Sequence, residues 1–245
     1  MSKILLVVEG DKDEPRILGD QSRGLLSLMG TEYEVVPFSN PIYELYDAYI
    51  KGEYDDLVAY LVAEKGLKLK EGVLPKNAFS AVYLVFDFEP QYQKYSDEKI
   101  RKLLELFDDE TKLGKLYINY PMLESYYHLK NLPDREYNNR VVSLDNLTGK
   151  IYKKLVHEET CLKSNKIGRR ELCQIIFHNY YKSKFILKTG DKYIDYGALL
   201  ENQLSRKNKN NEIYVLSTFP VLVVDYNYER AMEVISRELR GCNIE

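Results

Sequence analysis

The sequence predicts an α/β fold: a mainly parallel four-stranded sheet flanked by helices, followed by a mostly helical C-terminal region. Short β-prone apolar runs alternate with helical patterns over the first 131 residues. Strands separated by helices need crossover connections, and such connections give parallel pairing. The chain has 245 residues, of which 44% are hydrophobic and 30% charged. It can therefore form a core and is not typical of a disordered chain.

The predicted strands are apolar runs of the kind that parallel sheets bury on both faces. The first, Lys3 to Val8, is continuous and ends at Glu9. The third, Ser80 to Phe88, repeats this pattern and ends in acidic residues. Two shorter runs, Glu34 to Phe38 and Leu116 to Asn119, complete the four strands.

Apolar residues at helical spacing predict helices between and after these strands. Ser96 is a suitable N-cap for a helix from Asp97 to Phe107, and a helix from about Pro121 to Leu132 follows the fourth strand. Further helices are predicted for Glu14–Met29, Ile42–Tyr49, Leu57–Ala63, Val141–Val156, Arg169–Lys184 and Tyr228–Arg240. We expect a polar loop at Ser205–Asn211 and one or two strands within Ile213–Asp225.

Charge is divided unevenly along the chain. Residues 1–149 carry 18 Lys and Arg against 26 Asp and Glu, whereas residues 150–209 carry 14 against 6. Together with the change of pattern near residue 140, this predicts a domain of residues 1–140 and a basic C-terminal region of residues 141–245. An acidic centre beside a basic surface is expected of a protein that binds metal and phosphate, although solvated helix faces explain the pattern equally well.

Cysteine content and hydropathy indicate the class of protein. The odd number of cysteines, without a CxxC pair, is typical of a reducing compartment and excludes a disulfide scaffold. Because no apolar stretch reaches 18 residues and the first apolar run is short, neither a membrane span nor a signal peptide is predicted. We therefore expect a cytoplasmic protein. The three histidines are scattered, which argues against a zinc site.

Acidic residues follow three of the predicted strands. Glu9 follows the first, Asp87 and Glu89 end the third, and Glu124 lies one turn after the fourth. Parallel strands bring their carboxyl ends to one edge of the sheet, where ligands bind. A single acid there commonly caps a helix or faces solvent, but gathered carboxylates repel one another unless a cation or a raised pKa compensates. Oxygen ligands without His or Cys suit Mg²⁺ or Mn²⁺.

A pair of carboxylate-bound divalent ions is suited to in-line displacement at phosphorus, so the sequence predicts phosphodiester hydrolysis. It contains neither a Gly-rich phosphate loop nor a recognisable catalytic triad. Nucleic-acid phosphates are expected to contact basic residues of the segment 163–188, namely Lys163, Lys166, Arg169, Arg170, Lys182 and Lys184. Tyr126, Tyr127, Tyr180 and Tyr181 are interpreted as packing residues rather than base-stacking ones.

Three short motifs occur in order along the predicted strands. They are Val8-Glu9-Gly10-Asp11-Lys12-Asp13-Glu14-Pro15, then Asp87-Phe88-Glu89, then Asn119-Tyr120-Pro121-Met122-Leu123-Glu124 with Tyr126, Tyr127 and His128 after it. Together they resemble the nuclease branch of the Toprim fold, the OLD-like and RloB-like proteins, over about residues 4–130.

The resemblance implies that residues 1–140 form a Toprim-like catalytic domain that cleaves nucleic acid with Mg²⁺ or Mn²⁺, two ions being expected. It also implies a role in bacterial defence against phage, commonly beside a partner ATPase. Under the resemblance Glu9 is a general acid/base or a ligand of the first metal, and Asp87 and Glu89 are metal ligands.

The second metal group implied by the resemblance is Glu14 or Asp13 together with Glu124. This chain departs from the family pattern at two of these positions, with Glu in place of Asp at position 89 and Asp13 where Thr is frequent. The late catalytic lysine of the OLD-like pattern has no unambiguous match, and Lys166 and Lys163 are the candidates.

Two other functions remain open. The departures suggest a non-catalytic or autoinhibited subunit that acts only with a partner ATPase. A Mg²⁺-dependent phosphotransfer domain of receiver or phosphatase type also gathers acids at strand ends. The sequence does not distinguish DNA from RNA, endonuclease from exonuclease action, or a monomer from a homo-oligomer.

Overall fold

The chain forms a mixed β-sheet flanked by helices, with a mostly helical C-terminal region. The computed structural model describes residues 3–12, 17, 24–50, 54, 56–148, 150–162 and 167–240. The strands are β1 (Ile4–Val8), β2 (Tyr33–Pro37), β3 (Ala81–Asp87), β4 (Asp108–Asp109), β5 (Gly114–Tyr120), β6 (Val141–Ser143), β7 (Glu212–Tyr214) and β8 (Leu216–Ser217).

The α-helices are α1 (Ile42–Ile50), α2 (Leu57–Lys65), α3 (Asp97–Leu106), α4 (Ile151–Glu159), α5 (Arg169–Leu187), α6 (Tyr196–Asn210), α7 (Leu222–Tyr226) and α8 (Tyr228–Glu238). Short 3₁₀ helices cover Leu25–Leu28, Pro75–Asn77, Leu123–Tyr127, Tyr137–Asn139, Leu144–Leu147 and Phe219–Val221. Ser96 caps α3 as predicted, because its hydroxyl accepts a hydrogen bond from the backbone N–H of Lys99 at 3.1 Å.

The main sheet has six strands, four of which are parallel neighbours in the order β2-β1-β3-β5. β4 and β8 add antiparallel pairs to the two ends of β5. β1 is fully buried and β3 is buried up to Asp87, which confirms the prediction of strands covered on both faces. The predicted parallel set is therefore present. It is extended by β8, which lies in the segment Ile213–Asp225 where strands were expected, and by β4, which the sequence did not indicate.

The sheet and the C-terminal helices share one hydrophobic core, which extends across the expected boundary near residue 140. β8 comes from the C-terminal region and pairs with the end of β5. β6 and β7 form a separate two-stranded sheet that likewise joins residues on either side of a long sequence separation. Within the described residues, we find no helix whose length and apolar character would let it cross a membrane.

Three predicted elements differ from the structure. The helix expected over Pro121–Leu132 is reduced to the short 3₁₀ helix at Leu123–Tyr127. The segment Val141–Val156 begins with a strand and becomes α-helical only at Ile151. The expected loop at Ser205–Asn211 is wrong, because α6 continues to Asn210. Of the helix predicted over 14–29, most lies outside the described residues.

Candidate metal centre

The carboxyl ends of β1, β3 and β5 lie side by side and bring acidic side chains to one edge of the sheet. Val8 pairs with Val85 in register, so Glu9 follows directly beside β3. The backbone N–H of Glu9 donates to the carbonyl of Val85 at 3.2 Å. In return, the Glu9 carboxylate accepts from the backbone N–H of Asp87 at 3.0 Å. The first two predicted acids are thus direct neighbours.

Asp87 is the last residue of β3 and is half-buried. Its carboxylate accepts a hydrogen bond at 3.1 Å from the side-chain amide of Asn119, its register partner on β5. The amide oxygen of buried Asn119 accepts in turn from the Ser217 hydroxyl on β8, at 2.5 Å. The orientation of Asp87 is therefore fixed through a relay that reaches into the C-terminal region.

Glu89 follows β3 with a left-handed backbone, at φ +37°. Burial raises the pKa of the half-buried Glu89 carboxyl, and the positive charge of Lys153 offsets this only in part. The pKa of the neighbouring Tyr43 hydroxyl is raised chiefly by burial, with contributions from Tyr95 and then from the charges of Glu9 and Glu89. The charges of both carboxylates therefore act on this one hydroxyl, which donates to the carbonyl of Phe88.

Glu124 lies in the 3₁₀ helix after β5 and is only 8% exposed. Its Oε1 forms an ion pair with Lys153 Nζ at 2.9 Å. Its Oε2 is buried and has no hydrogen-bond partner. An unpartnered buried carboxylate oxygen is costly, so this atom is suited to bind a cation or a donor supplied by a ligand.

Lys153 is a site residue that the sequence analysis missed. It lies on α4, is half-exposed, and influences both Glu124 and Glu89. The preceding residue, Tyr152, is fully buried and its hydroxyl lies 3.1 Å from Nδ1 of His128, which anchors α4 beside the 3₁₀ helix. Nothing in the local sequence of α4 indicates this role, because it depends on packing between distant segments.

The donor set has the chemistry that Mg²⁺ or Mn²⁺ requires, since Glu9, Asp87, Glu89 and Glu124 supply only oxygen ligands. The described residues contain no group of three or more His, Cys, Asp or Glu side chains already arranged around one metal position. Two further predicted ligands, Asp13 and Glu14, lie outside the described residues. The fit therefore rests on ligand type and on the unpaired oxygen of Glu124.

The predicted nucleic-acid contacts fall in different environments. Lys182 is fully buried and donates to the carbonyls of Tyr137 and Arg140 at 2.6 and 2.7 Å, so, contrary to the prediction, it cannot contact a phosphate. Arg169 is exposed and pairs with Glu238, and Arg170 is exposed. Lys184 is half-buried on the outer side of α5. Lys163 and Lys166, the candidate catalytic lysines, lie outside the described residues.

Comparison of the chain with protein-family models, with curated proteins and with solved structures finds no match. Its function is therefore inferred from its own residues.

Proposed function

We propose that the chain is a divalent-metal-dependent nuclease of Toprim-like fold that hydrolyses phosphodiester bonds of DNA or RNA. The observation that carries the proposal is the acidic edge formed by Glu9, Asp87, Glu89 and Glu124, where one buried oxygen of Glu124 has no partner. The parallel order β2-β1-β3-β5 supports it, since ligands of open α/β sheets bind beyond the carboxyl ends of the strands.

The four carboxylates would hold Mg²⁺ or Mn²⁺, with Asp13 or Glu14 as further ligands. When bound, such ions supply Lewis-acid stabilisation of the phosphate and lower the pKa of an attacking water. Asn119 keeps Asp87 in one orientation through its amide. Glu9, which already accepts a hydrogen bond, is placed to take a proton at its carboxylate.

Lys153 provides positive charge at the same edge. Its ammonium forms an ion pair with Glu124 at 2.9 Å. Because its side chain is half-exposed, Lys153 would be able to reach a phosphate oxygen of a bound substrate and stabilise negative charge there. Lys153 thus becomes the leading candidate for the lysine that the sequence analysis sought at Lys166 or Lys163.

Cleavage by a matched set of variants tests the proposal. Plasmid DNA, single-stranded DNA and tRNA are incubated with the purified chain in Mn²⁺, Mg²⁺ or EDTA. We expect metal-dependent cutting by the wild type and a loss of at least about 100-fold in Glu124→Gln and Glu9→Ala, since each removes a ligand or proton acceptor of the reaction. Glu158→Gln, which alters an exposed carboxylate on α4, is the control and should cut normally.

A fully active Glu124→Gln variant would contradict the assignment. If the wild type binds Mn²⁺ but cuts no substrate, the second candidate gains support, namely an autoinhibited subunit that needs a partner ATPase, as in phage-defence systems. The Lys153–Glu124 ion pair favours this candidate specifically, because it engages one oxygen of a proposed metal ligand. Cutting restored by a Lys153→Ala substitution would distinguish autoinhibition from a lack of activity.

A further inference from the structure

The outer side of α5 carries aromatic rings that are partly exposed to solvent. Tyr181 is 38% exposed and Phe185 is 48% exposed, and Phe177 is half-buried one turn earlier. Residues four apart lie on the same side of a helix, so the three rings form a row. Adjacent exposed rings of this kind form a surface on which a flat ligand can pack.

Basic residues are interleaved with these rings. Lys184 and exposed Lys188 fall on the same side of the helix as Tyr181 and Phe185. The Nζ atom of Lys184 lies 5.8 Å from the centre of the Tyr181 ring. The only acidic residue of α5 is Glu171, at its first turn, where its carboxylate accepts the backbone N–H of Gly168. We call Phe177, Tyr181, Lys184, Phe185 and Lys188 the aromatic–basic strip.

The rings of the strip are supported by the protein. The centres of the Phe177 and Tyr181 rings lie 4.3 Å apart with the rings tilted by 39°. Tyr180, immediately before Tyr181, is buried and its hydroxyl donates to the carbonyl of Lys192 at 2.8 Å. A ring held in this way loses less conformational freedom when a flat ligand packs on it.

We propose that the aromatic–basic strip binds single-stranded nucleic acid, with bases stacked on the rings and phosphates beside the lysines. This combination of aromatic platforms and cations is how proteins hold single strands without sequence preference. The inference deepens the proposed nuclease function and rests on it in one respect: it identifies single strands as the substrate class of the acidic edge.

The exposed faces of the rings favour a single strand over a duplex. Tyr181 and Phe185 are exposed, so a flat group can pack on them. Within a duplex the faces of the bases are covered by their stacked neighbours, whereas a single strand can place unstacked bases on aromatic side chains. The aromatic–basic strip therefore suits a single strand.

The lysines argue against a protein partner and against a membrane as the ligand of the strip. Lys is depleted from protein–protein interfaces, whereas two of the five strip residues are lysines. A helix that lies on a membrane separates its cations from a wide apolar face. Here Lys184 and Lys188 share the row with the rings, which matches an alternation of phosphates and bases.

Fluorescence anisotropy in EDTA tests the strip without any cleavage. The probes are labelled single-stranded DNA and RNA of about 12 nucleotides, within the site sizes of single-strand binders, and a duplex of the same length. Tyr181→Leu combined with Phe185→Leu keeps the apolar character and removes the aromatic faces, and should weaken single-strand binding by about tenfold or more. Tyr226→Leu is the control, because Tyr226 is 37% exposed on α7.

Substituting both lysines tests the electrostatic part. Lys184→Gln combined with Lys188→Gln should reduce the slope of log affinity against log salt by about 1.4, which is the loss of two phosphate contacts on a single strand.

Unchanged single-strand binding in the double leucine variant, or equal binding of the duplex, would overturn the proposal. The proposal would also be overturned if the wild type bound phosphatidylserine vesicles or a protein but did not bind single strands. Failure of the nuclease assignment can be distinguished from failure of this proposal. Glu124→Gln should bind single strands as tightly as the wild type does, whether or not the wild type cuts them.

Discussion

Two buried carboxylates, Glu124 and Asp134, have opposite surroundings. Asp134 accepts at 2.7 Å from the Arg140 guanidinium and from the backbone N–H of Lys130, and its second oxygen accepts from the backbone N–H of Glu136. Glu124 has one half-exposed lysine as a partner and one oxygen with none. Both oxygens of Asp134 thus have hydrogen-bond donors within the protein, whereas one oxygen of Glu124 has none.

The difference extends to the pKa values of the two regions. Burial alone would raise the pKa of the Asp134 carboxyl, but Arg140 and the backbone donors outweigh it, so the pKa is lowered. At the acidic edge burial prevails, and the pKa of Glu89 is raised. The network around Asp134 thus contributes stability at neutral pH, whereas ionisation of Glu89 costs stability, as expected of a carboxylate with a role in binding.

The largest expected effect is on folding. Asp134→Asn leaves the buried Arg140 guanidinium without its charge partner and should lower the free energy of unfolding by about 3–5 kcal/mol. Glu124→Gln breaks an ion pair with a half-exposed lysine and should change it by less than about 1 kcal/mol. Urea denaturation of both variants measures the contrast, and equal losses would remove the distinction between the two regions.

A smaller effect is expected when the metal is added. Mn²⁺ at about a hundredfold excess over its Kd should stabilise the wild type by about 2.7 kcal/mol, visible as a rise in Tm. Asp134→Asn should keep that rise relative to its own metal-free Tm, and Glu124→Gln should lose most of it. If Mn²⁺ raises the Tm of Glu124→Gln as much as that of the wild type, the ion binds elsewhere.

The smallest expected effect is a pH dependence of opposite sign in the two regions. Because the folded pKa of Glu89 lies above its ordinary value of 4.5, its contribution to stability is lost as pH rises through the folded pKa. Glu89→Gln should therefore be more stable than the wild type at pH 7, and the gain should vanish below about pH 4.5. Urea denaturation across this range measures it.

The stability contribution of Asp134 should depend on pH in the opposite direction. Its stability contribution is present above the ordinary value of 3.8 and is lost as pH falls through the lowered folded pKa. The penalty of Asp134→Asn should accordingly shrink in strong acid. A Glu89→Gln gain that persists unchanged at low pH would show that packing, and not ionisation, causes it.

Local patterns were sufficient to predict the parallel strands and the acids at their ends. Buried parallel strands read as continuous apolar runs, and β1 and β3 follow this rule. Because parallel strands end at one edge of the sheet, topology alone predicts that Glu9 and Asp87 lie close together. The metal role of these residues stays a prediction.

Features set by distant contacts were missed. The helix expected after Pro121 stops at Tyr127, where the Thr160 hydroxyl donates to the carbonyl of Tyr127 and the backbone N–H of Cys161 donates to that of Leu129. The chain after Tyr127 is thus bonded to residues 160 and 161 and does not continue the helix. Strand β6 depends on pairing with β7, about 70 residues later in the chain.

The segment Ser205–Asn211 was predicted to be a loop because it is polar, but most of it is helical. α6 continues because its inner side buries Gln203 and Leu204, and Lys207, one turn later on that side, pairs with Asp97. The helix ends at Asn211, whose left-handed backbone is a suitable C-terminal cap. Lys153 was missed for a related reason, since only tertiary packing brings α4 to Glu124.

The hydrogen bond from Ser217 to Asn119 sets a time order on synthesis of the chain. Asp87 is oriented by Asn119, and Asn119 is held by a residue 98 positions further along. A ribosome releases the N-terminal strands long before Ser217 emerges, so a nascent chain carries the acids of the edge without their final orientation. The proposed centre is completed only after Ser217 has been synthesised, and a fragment of residues 1–140 would lack the hydrogen bond that holds Asn119.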